Sequence, residues 1–75
     1  MNTVFEELTK TEELLKLVAE ETGKKPELDD SLESLGIDSL DFVSLMQAVE
    51  NKFGMVIPPE QYTNIDTVRD IRVRI

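Results

Sequence analysis

The chain has 75 residues, with 16 acidic and 8 basic side chains, no cysteine and no histidine. That length bounds it to one domain, residues 1–75, with a marginal core. Disulfides and a cysteine- or histidine-bound structural metal are excluded as remedies. A net charge of -8 sets the chain against nucleic acid and anionic membranes and favours basic protein surfaces, where attraction speeds encounter and fades with salt.

Hydrophobic residues make up 40% and aromatics 5%, which fits an all-α domain packed on Leu, Val and Ile. Met1 to Glu7 carry no basic leader and no apolar run, so no signal peptide is expected. No apolar stretch is long enough to span a bilayer, and a cytoplasmic protein is the expectation. A first helix is predicted from about Thr3 to Thr22. Val4, Phe5, Leu8, Leu15, Val18 and Ala19 recur at helical spacing, widened by Leu14 and Leu17. Thr3 with Glu6 can form a capping box, and Gly23 is a stop signal followed by Lys24 and Lys25.

Pro26 to Asp38 reads as an ordered loop, long for a connection in a compact domain. Leu28, Leu32, Leu35 and Ile37 can pin it to the core, and Asp30 or Ser31 could begin a short helical turn ended by Leu35-Gly36. From Pro26 to Asn51 there is no Lys or Arg, whereas Arg69, Arg72 and Arg74 cluster near the end. The half of the molecule that holds Ser39 is therefore expected to be the negative one.

The second helix is predicted over Ser39 to Phe53. Asp38 serves as N-cap, Asp41 completes a short-armed capping box, and Gly54 closes the helix. Phe42, Leu45, Met46, Val49 and Phe53 form an inward stripe at steps of three and four. Leu40, Ser44, Gln47, Ala48 and Asn51 form the opposite one. Met55-Val56-Ile57 has no second strand to pair with, so an extended connector is expected. Glu60 to Thr63 can make one short helical turn. A last helix starts near Asp66 or Thr67 and presents Val68, Ile71 and Ile75 inward.

Gly36-Ile37-Asp38-Ser39-Leu40 carries the chemistry. A serine hydrolase needs a base to take the hydroxyl proton, usually histidine, and the chain has none. The nucleophile-elbow pattern also fails, because Gly36 precedes Ser39 by three residues and Leu40-Asp41 follow it. No catalytic residue is assigned. Asp29, Ser31 and Glu33 are spaced somewhat like a calcium loop, but the required glycine and terminal glutamate are out of place, so no metal site is expected. Two readings of Ser39 remain. It can be an ordinary helix cap, or it can carry an anion, which would meet free backbone N–H groups and the positive end of the helix dipole.

Leu35-Gly36-Ile37-Asp38-Ser39-Leu40-Asp41 followed by a helical stripe is more specific than a cap. The sequence resembles the phosphopantetheine-binding carrier domains, specifically stand-alone bacterial acyl carrier proteins and polyketide-type carriers. The likeness covers nearly the whole chain: the first helix ending at Gly23, the Leu28/Leu32 loop, the Asp38-Ser39-Leu40 motif, the helix through Phe53-Gly54, the Ile57-Pro58 connector and the Thr67-Val68 start. It implies a small four-helix bundle, with three main helices, one short helix and a long first loop. It implies that a separate transferase esterifies Ser39 with 4′-phosphopantetheine from coenzyme A, and that acyl groups ride as thioesters on the terminal thiol. A chain without cysteine needs such a borrowed thiol.

The function so implied is delivery by a non-catalytic, monomeric carrier. Its expected partners are a phosphopantetheinyl transferase and acyl-loading, condensing and acyl-transferring enzymes with basic docking patches. Docking is expected on Asp38, Leu40, Asp41, Ser44, Gln47, Ala48 and Glu50. In carriers of this kind the core can also part to admit an acyl chain, so some residues of the inward stripe could serve both roles. Ser44 and Gln47 stand where fatty-acid carriers often have glutamate and methionine, and the loop before Asp38 is shorter. A specialised or polyketide-type carrier is therefore favoured over housekeeping fatty-acid synthesis. An aminoacyl or peptidyl carrier, from which Asp38 leans away, and an unmodified helical adaptor are the alternatives.

Overall fold

The computed structural model describes the backbone of residues 3–75 and the side chains from Glu6 onward. Four helical elements follow one another: α1 (Thr3–Thr22), α2 (Ser39–Phe53), a 3-10 helix (Pro59–Asn64) and α3 (Val68–Arg72). Among the described residues extended backbone pairs only at an isolated antiparallel bridge between Ser31 and Thr67. The all-α expectation holds, with a long first connection between α1 and α2. The last helix, at 5 residues, is shorter than a main helix was expected to be.

α1 stops where the sequence says it should. Gly23 takes a left-handed φ of 70° and donates its N–H to the Ala19 carbonyl at 2.8 Å, a conformation that suits a residue without Cβ. Its inner face differs from the expected one. Leu14 and Val18 are fully buried, Leu15 and Leu17 pack at the margin, and Leu8 is 58% exposed. Leu14 and Val18 lie one turn apart on a single face, and that face is the one α2 and α3 cover. Val4, Phe5 and the Thr3–Glu6 box depend on side chains outside the described residues.

α2 has the predicted bounds. Leu45, Met46 and Val49 are sealed in the core, with Phe42 and Phe53 packed against them. Each fully buried side chain of this kind contributes about 1.5–3 kcal/mol. Gly54 closes the helix at φ 65°, donating to the Glu50 carbonyl. The connector is extended, as expected. It is fixed by Ile57, whose side chain is buried and whose N–H donates to Glu50 Oε2 at 2.7 Å.

The loop before α2 is held by bonds to distant sequence. Leu32 and Leu35 are buried, and Leu28 and Ile37 pack beside them. Leu32 N–H donates to the Asp66 carbonyl at 2.8 Å, Val68 N–H to Asp30 at 3.1 Å, and Arg69 N–H to Leu28 at 2.8 Å. The short helical turn expected from Asp30 or Ser31 forms over residues 32–36: the Ser31 carbonyl accepts the Leu35 N–H at 3.2 Å, and Gly36 ends the turn at φ 82°. Upstream of it, the carbonyls of Leu28 and Asp30 serve the first N–H groups of α3. So short a helix is not stable alone, and these outside acceptors meet the donors its first turn leaves free. Arg72 ties α3 to α1, donating to Thr11 Oγ1 at 2.7 Å and to the Glu7 carbonyl at 3.0 Å.

Candidate functional site

The chain's serines occupy different settings. Ser31 Oγ accepts the Ser34 N–H at 3.0 Å, and Ser34 Oγ donates to the Ser31 carbonyl at 2.7 Å, so both are engaged in one turn. Ser44 lies inside α2. Ser39 is the first residue of α2 and is exposed. Its hydroxyl has no hydrogen-bond partner among the described residues.

Asp38 produces this opening. Its backbone is extended, with φ -88° and ψ -172°. Its Oδ1 accepts the Asp41 N–H at 2.9 Å, and its carbonyl accepts the Phe42 N–H at 2.8 Å. The expected capping box is thus half formed: no reciprocal bond from Asp38 N–H to the Asp41 carboxylate exists among the described residues. Two carboxylates in one box repel each other, and Asp41 stays in solvent. The N–H groups of Ser39 and Leu40 have no partner among the described residues either. They stand where the helix dipole presents positive potential.

The loop contributes Gly36, at φ 82°. A Cβ there would lie 3.5 Å from Lys24 Nζ, so the Lys24 ammonium lies beside the loop that leads to Ser39. Nearby acids oppose it: Glu33 and Asp38 share a cleft with Ser39.

That open cleft, of about 610 Å³, is lined by Leu32, Ile37, Ser39, Phe42 and Val43 from the loop and α2, together with Glu33 and Asp38, and by Tyr62, Thr63 and Ile65 from the 3-10 helix and its C-terminal end. Phe42 and Tyr62 meet edge to face, ring centroids 5.1 Å apart at 75°. Phe42, expected in the core, lies at its margin, where it also lines the cleft. Val43 belongs to neither expected stripe, although its position one turn after Ser39 is legible in the sequence. Nothing local ties Tyr62 to residue 42.

The residues expected to dock partners are placed as follows. Asp38, Leu40, Asp41, Ser44 and Gln47 are exposed, Leu40 at 80%, and Ala48 is half-buried. Val43, 44% exposed, joins them. Glu50 differs, being half-buried and engaged at Ile57 N–H. Among the described residues no group of three or more carboxylates is gathered to hold a metal ion, and no helix is long and apolar enough to cross a membrane.

A phosphopantetheine phosphate needs a hydroxyl to esterify, room around it, and donors for its charge. Ser39 Oγ and the N–H groups of Ser39 and Leu40 meet those needs, so the residues present fit the group. The similarities of the chain agree with this geometry. Residues 12–72 match the family described as the phosphopantetheine attachment site. An acyl carrier protein of Rickettsia bellii is 38% identical over 64 residues, covering 80% of this chain and 79% of its own. One from Zymomonas mobilis is 40% identical over 63 residues, covering 79% and 81%. One from Renibacterium salmoninarum is 43% identical over 61 residues, covering 76% and 75%. The chain belongs to the acyl carrier protein family, the carriers defined by a phosphopantetheine attachment site.

Proposed function

We propose that Ser39 is the residue that bears 4′-phosphopantetheine and that the protein carries acyl groups between enzymes of fatty-acid, polyketide or related biosynthesis in the cytoplasm. The observation that carries this is the state of the α2 N-terminus. Among the described residues, Ser39 presents an exposed, unbonded hydroxyl beside two unpartnered N–H groups, in a chain of this family. When attached, the group supplies the thiol that this cysteine-free chain lacks, and acyl groups ride on it as thioesters.

The protein's own residues do the rest. Ser39 Oγ is the point of linkage. Asp38 holds the first turn open by capping Asp41 N–H, which leaves Ser39 N–H and Leu40 N–H for the phosphate. No histidine exists to deprotonate the hydroxyl, so activation falls to a separate phosphopantetheinyl transferase. Loading, condensing and acyl-transferring enzymes dock on the surface beside Ser39. Leu40 and Val43 supply apolar contact there. Asp38 and Asp41 supply charge, and Ser44, Gln47 and Ala48 continue the face down the helix. Glu50 takes a lesser part because its carboxylate holds Ile57. Charge is thus concentrated at the Ser39 end, which places electrostatic steering there.

The test is to incubate the purified protein with coenzyme A and a broad-specificity transferase and to weigh the intact chain. One phosphopantetheine should be gained by the wild type and none by Ser39→Ala. A wild-type chain that gains nothing beside an active control carrier overturns the proposal.

A further inference from the structure

The cleft at Ser39 has an inner limit. Ser39, Phe42, Val43 and Met46 follow one another at helical spacing along α2. A group rooted at Ser39 and heading for the core therefore passes Phe42 before it reaches Met46. Phe42 is joined there by Tyr62 of the 3-10 helix, edge to face, a geometry that favours aromatic pairs beyond simple burial. Both rings line the cleft, whereas Leu45, Met46 and Val49 do not. Leu32 and Ile65 of the core also line the cleft, and the core is closed to solvent: Met46, Val49, Val68 and Ile71 are 0% exposed.

We propose that the Phe42–Tyr62 pair selects the cargo of this carrier by barring the passage from Ser39 into the core, so that the acyl group is held in the open cleft. The inference rests on attachment at Ser39. The occupant follows from the tether: a group linked to a residue of the cleft wall meets that cleft at high effective concentration. The class of cargo follows from the walls. Leu32, Ile37, Phe42, Val43 and Ile65 offer apolar contact, Tyr62 and Thr63 bring hydroxyl groups, Glu33 and Asp38 bring carboxylates, and the cleft is open to water. Such walls suit a short acyl group, or one bearing keto or hydroxyl functions. They give a long alkyl chain no dry volume, and burial away from water is what would hold such a chain. Both rings are half-buried, and Tyr62 is the specificity-determining member because it meets Phe42 from the 3-10 helix and not from α2, which bears Ser39.

The experiment loads the wild type and Tyr62→Ala with acetyl, butyryl, octanoyl and decanoyl groups from their coenzyme A thioesters, using the transferase. Intact mass comes first. A chain that takes up no acyl-phosphopantetheine overturns the attachment and the gate together, and a loaded chain tests the gate alone. The readouts are the methyl chemical shifts of Met46, Val49 and Ile71 and the rate of thioester hydrolysis. In the wild type the core methyl shifts should match between acetyl and octanoyl forms, and hydrolysis should not slow with chain length. In Tyr62→Ala the octanoyl and decanoyl forms should move those methyls and hydrolyse several-fold more slowly. Tyr62→Phe should behave as wild type, and Tyr62→Leu serves as the opened variant should the alanine variant fail to fold. Core methyls that move in the octanoyl wild type overturn the proposal, as do core methyls unmoved in a folded, opened variant.

Discussion

At the start of α3, Thr67 Oγ1 accepts the Asp70 N–H at 3.2 Å while Asp70 Oδ2 accepts the N–H groups of Thr67 and Asp66 at 3.0 and 2.8 Å. At the start of α2, Asp38 caps Asp41 N–H and, among the described residues, nothing is returned. Both motifs place an aspartate three residues after the cap. The difference is the cap itself, a neutral threonine in one helix and a second carboxylate in the other. α3 goes further, drawing the carbonyls of Leu28 and Asp30 onto its next donors, whereas α2 leaves Ser39 N–H and Leu40 N–H without a partner among the described residues. One helix end is completed for folding, and the other is left incomplete at Ser39, the residue proposed to bear the phosphate. A short helix needs every donor met to exist at all, while a helix of 15 residues packed through Leu45, Met46 and Val49 does not.

Substitutions at the two ends should therefore separate function from stability. The largest effect is expected at Ser39→Ala, which abolishes modification in a transferase assay. Chemical denaturation should find its stability within about 0.5 kcal/mol of wild type, as for an exposed site with no bonded partner. Thr67→Ala should do the reverse. It removes a cap and costs about 0.5–2 kcal/mol by urea unfolding, with the modification rate of the folded chain unchanged. If the two variants failed alike, the contrast between the ends would be wrong.

Asp41→Lys sharpens the same contrast at the open end. It should slow modification several-fold at low salt, with the deficit shrinking as salt rises. A cation at the helix N-terminus should cost only about 0.3–1 kcal/mol of stability. Acid titration offers a smaller signal. The N–H groups of Asp66 and, next, Thr67 hold the Asp70 carboxyl below its ordinary value. A lowered folded-state pKa means that the stabilisation is full above the unfolded-state value and is lost as pH falls through the folded-state one. Asp70→Asn should therefore be less stable at neutral pH and should show a shallower loss of stability in acid than the wild type. The smallest change belongs to Asp29→Asn. Asp29 is lowered by its hydrogen bond to Arg69 at 2.8 Å and by that residue's charge, but the pair lies in solvent. A difference seen at low salt should disappear at high salt.

The sequence made α2 legible at both ends because Asp38 and Gly54 punctuate it, and Gly23 did the same for α1. Its inward stripe was legible because the apolar residues keep one period. α1 was harder to read: Leu8, Leu14, Leu15 and Leu17 spread over more than one face, and only contact with α2 and α3 decides that Leu14 is buried and Leu8 is not. The turn at residues 32–36 was legible from Ser31 and Gly36, but the bonds from the Leu28 and Asp30 carbonyls to α3, more than thirty positions away, were not. Ser39 could be found from its motif and its place at the start of a helix. The cleft could not, because Tyr62 reaches Phe42 only through the tertiary fold.

Tandem mass spectrometry of peptides from the transferase-treated protein puts the attachment itself to the question, since Ser31, Ser34 and Ser44 offer competing hydroxyls in the same chain. The phosphopantetheine mass should reside on Ser39 and on no other residue. A modified chain whose added mass maps to Ser31, Ser34 or Ser44 would contradict the assignment of the open helix end as the site of attachment.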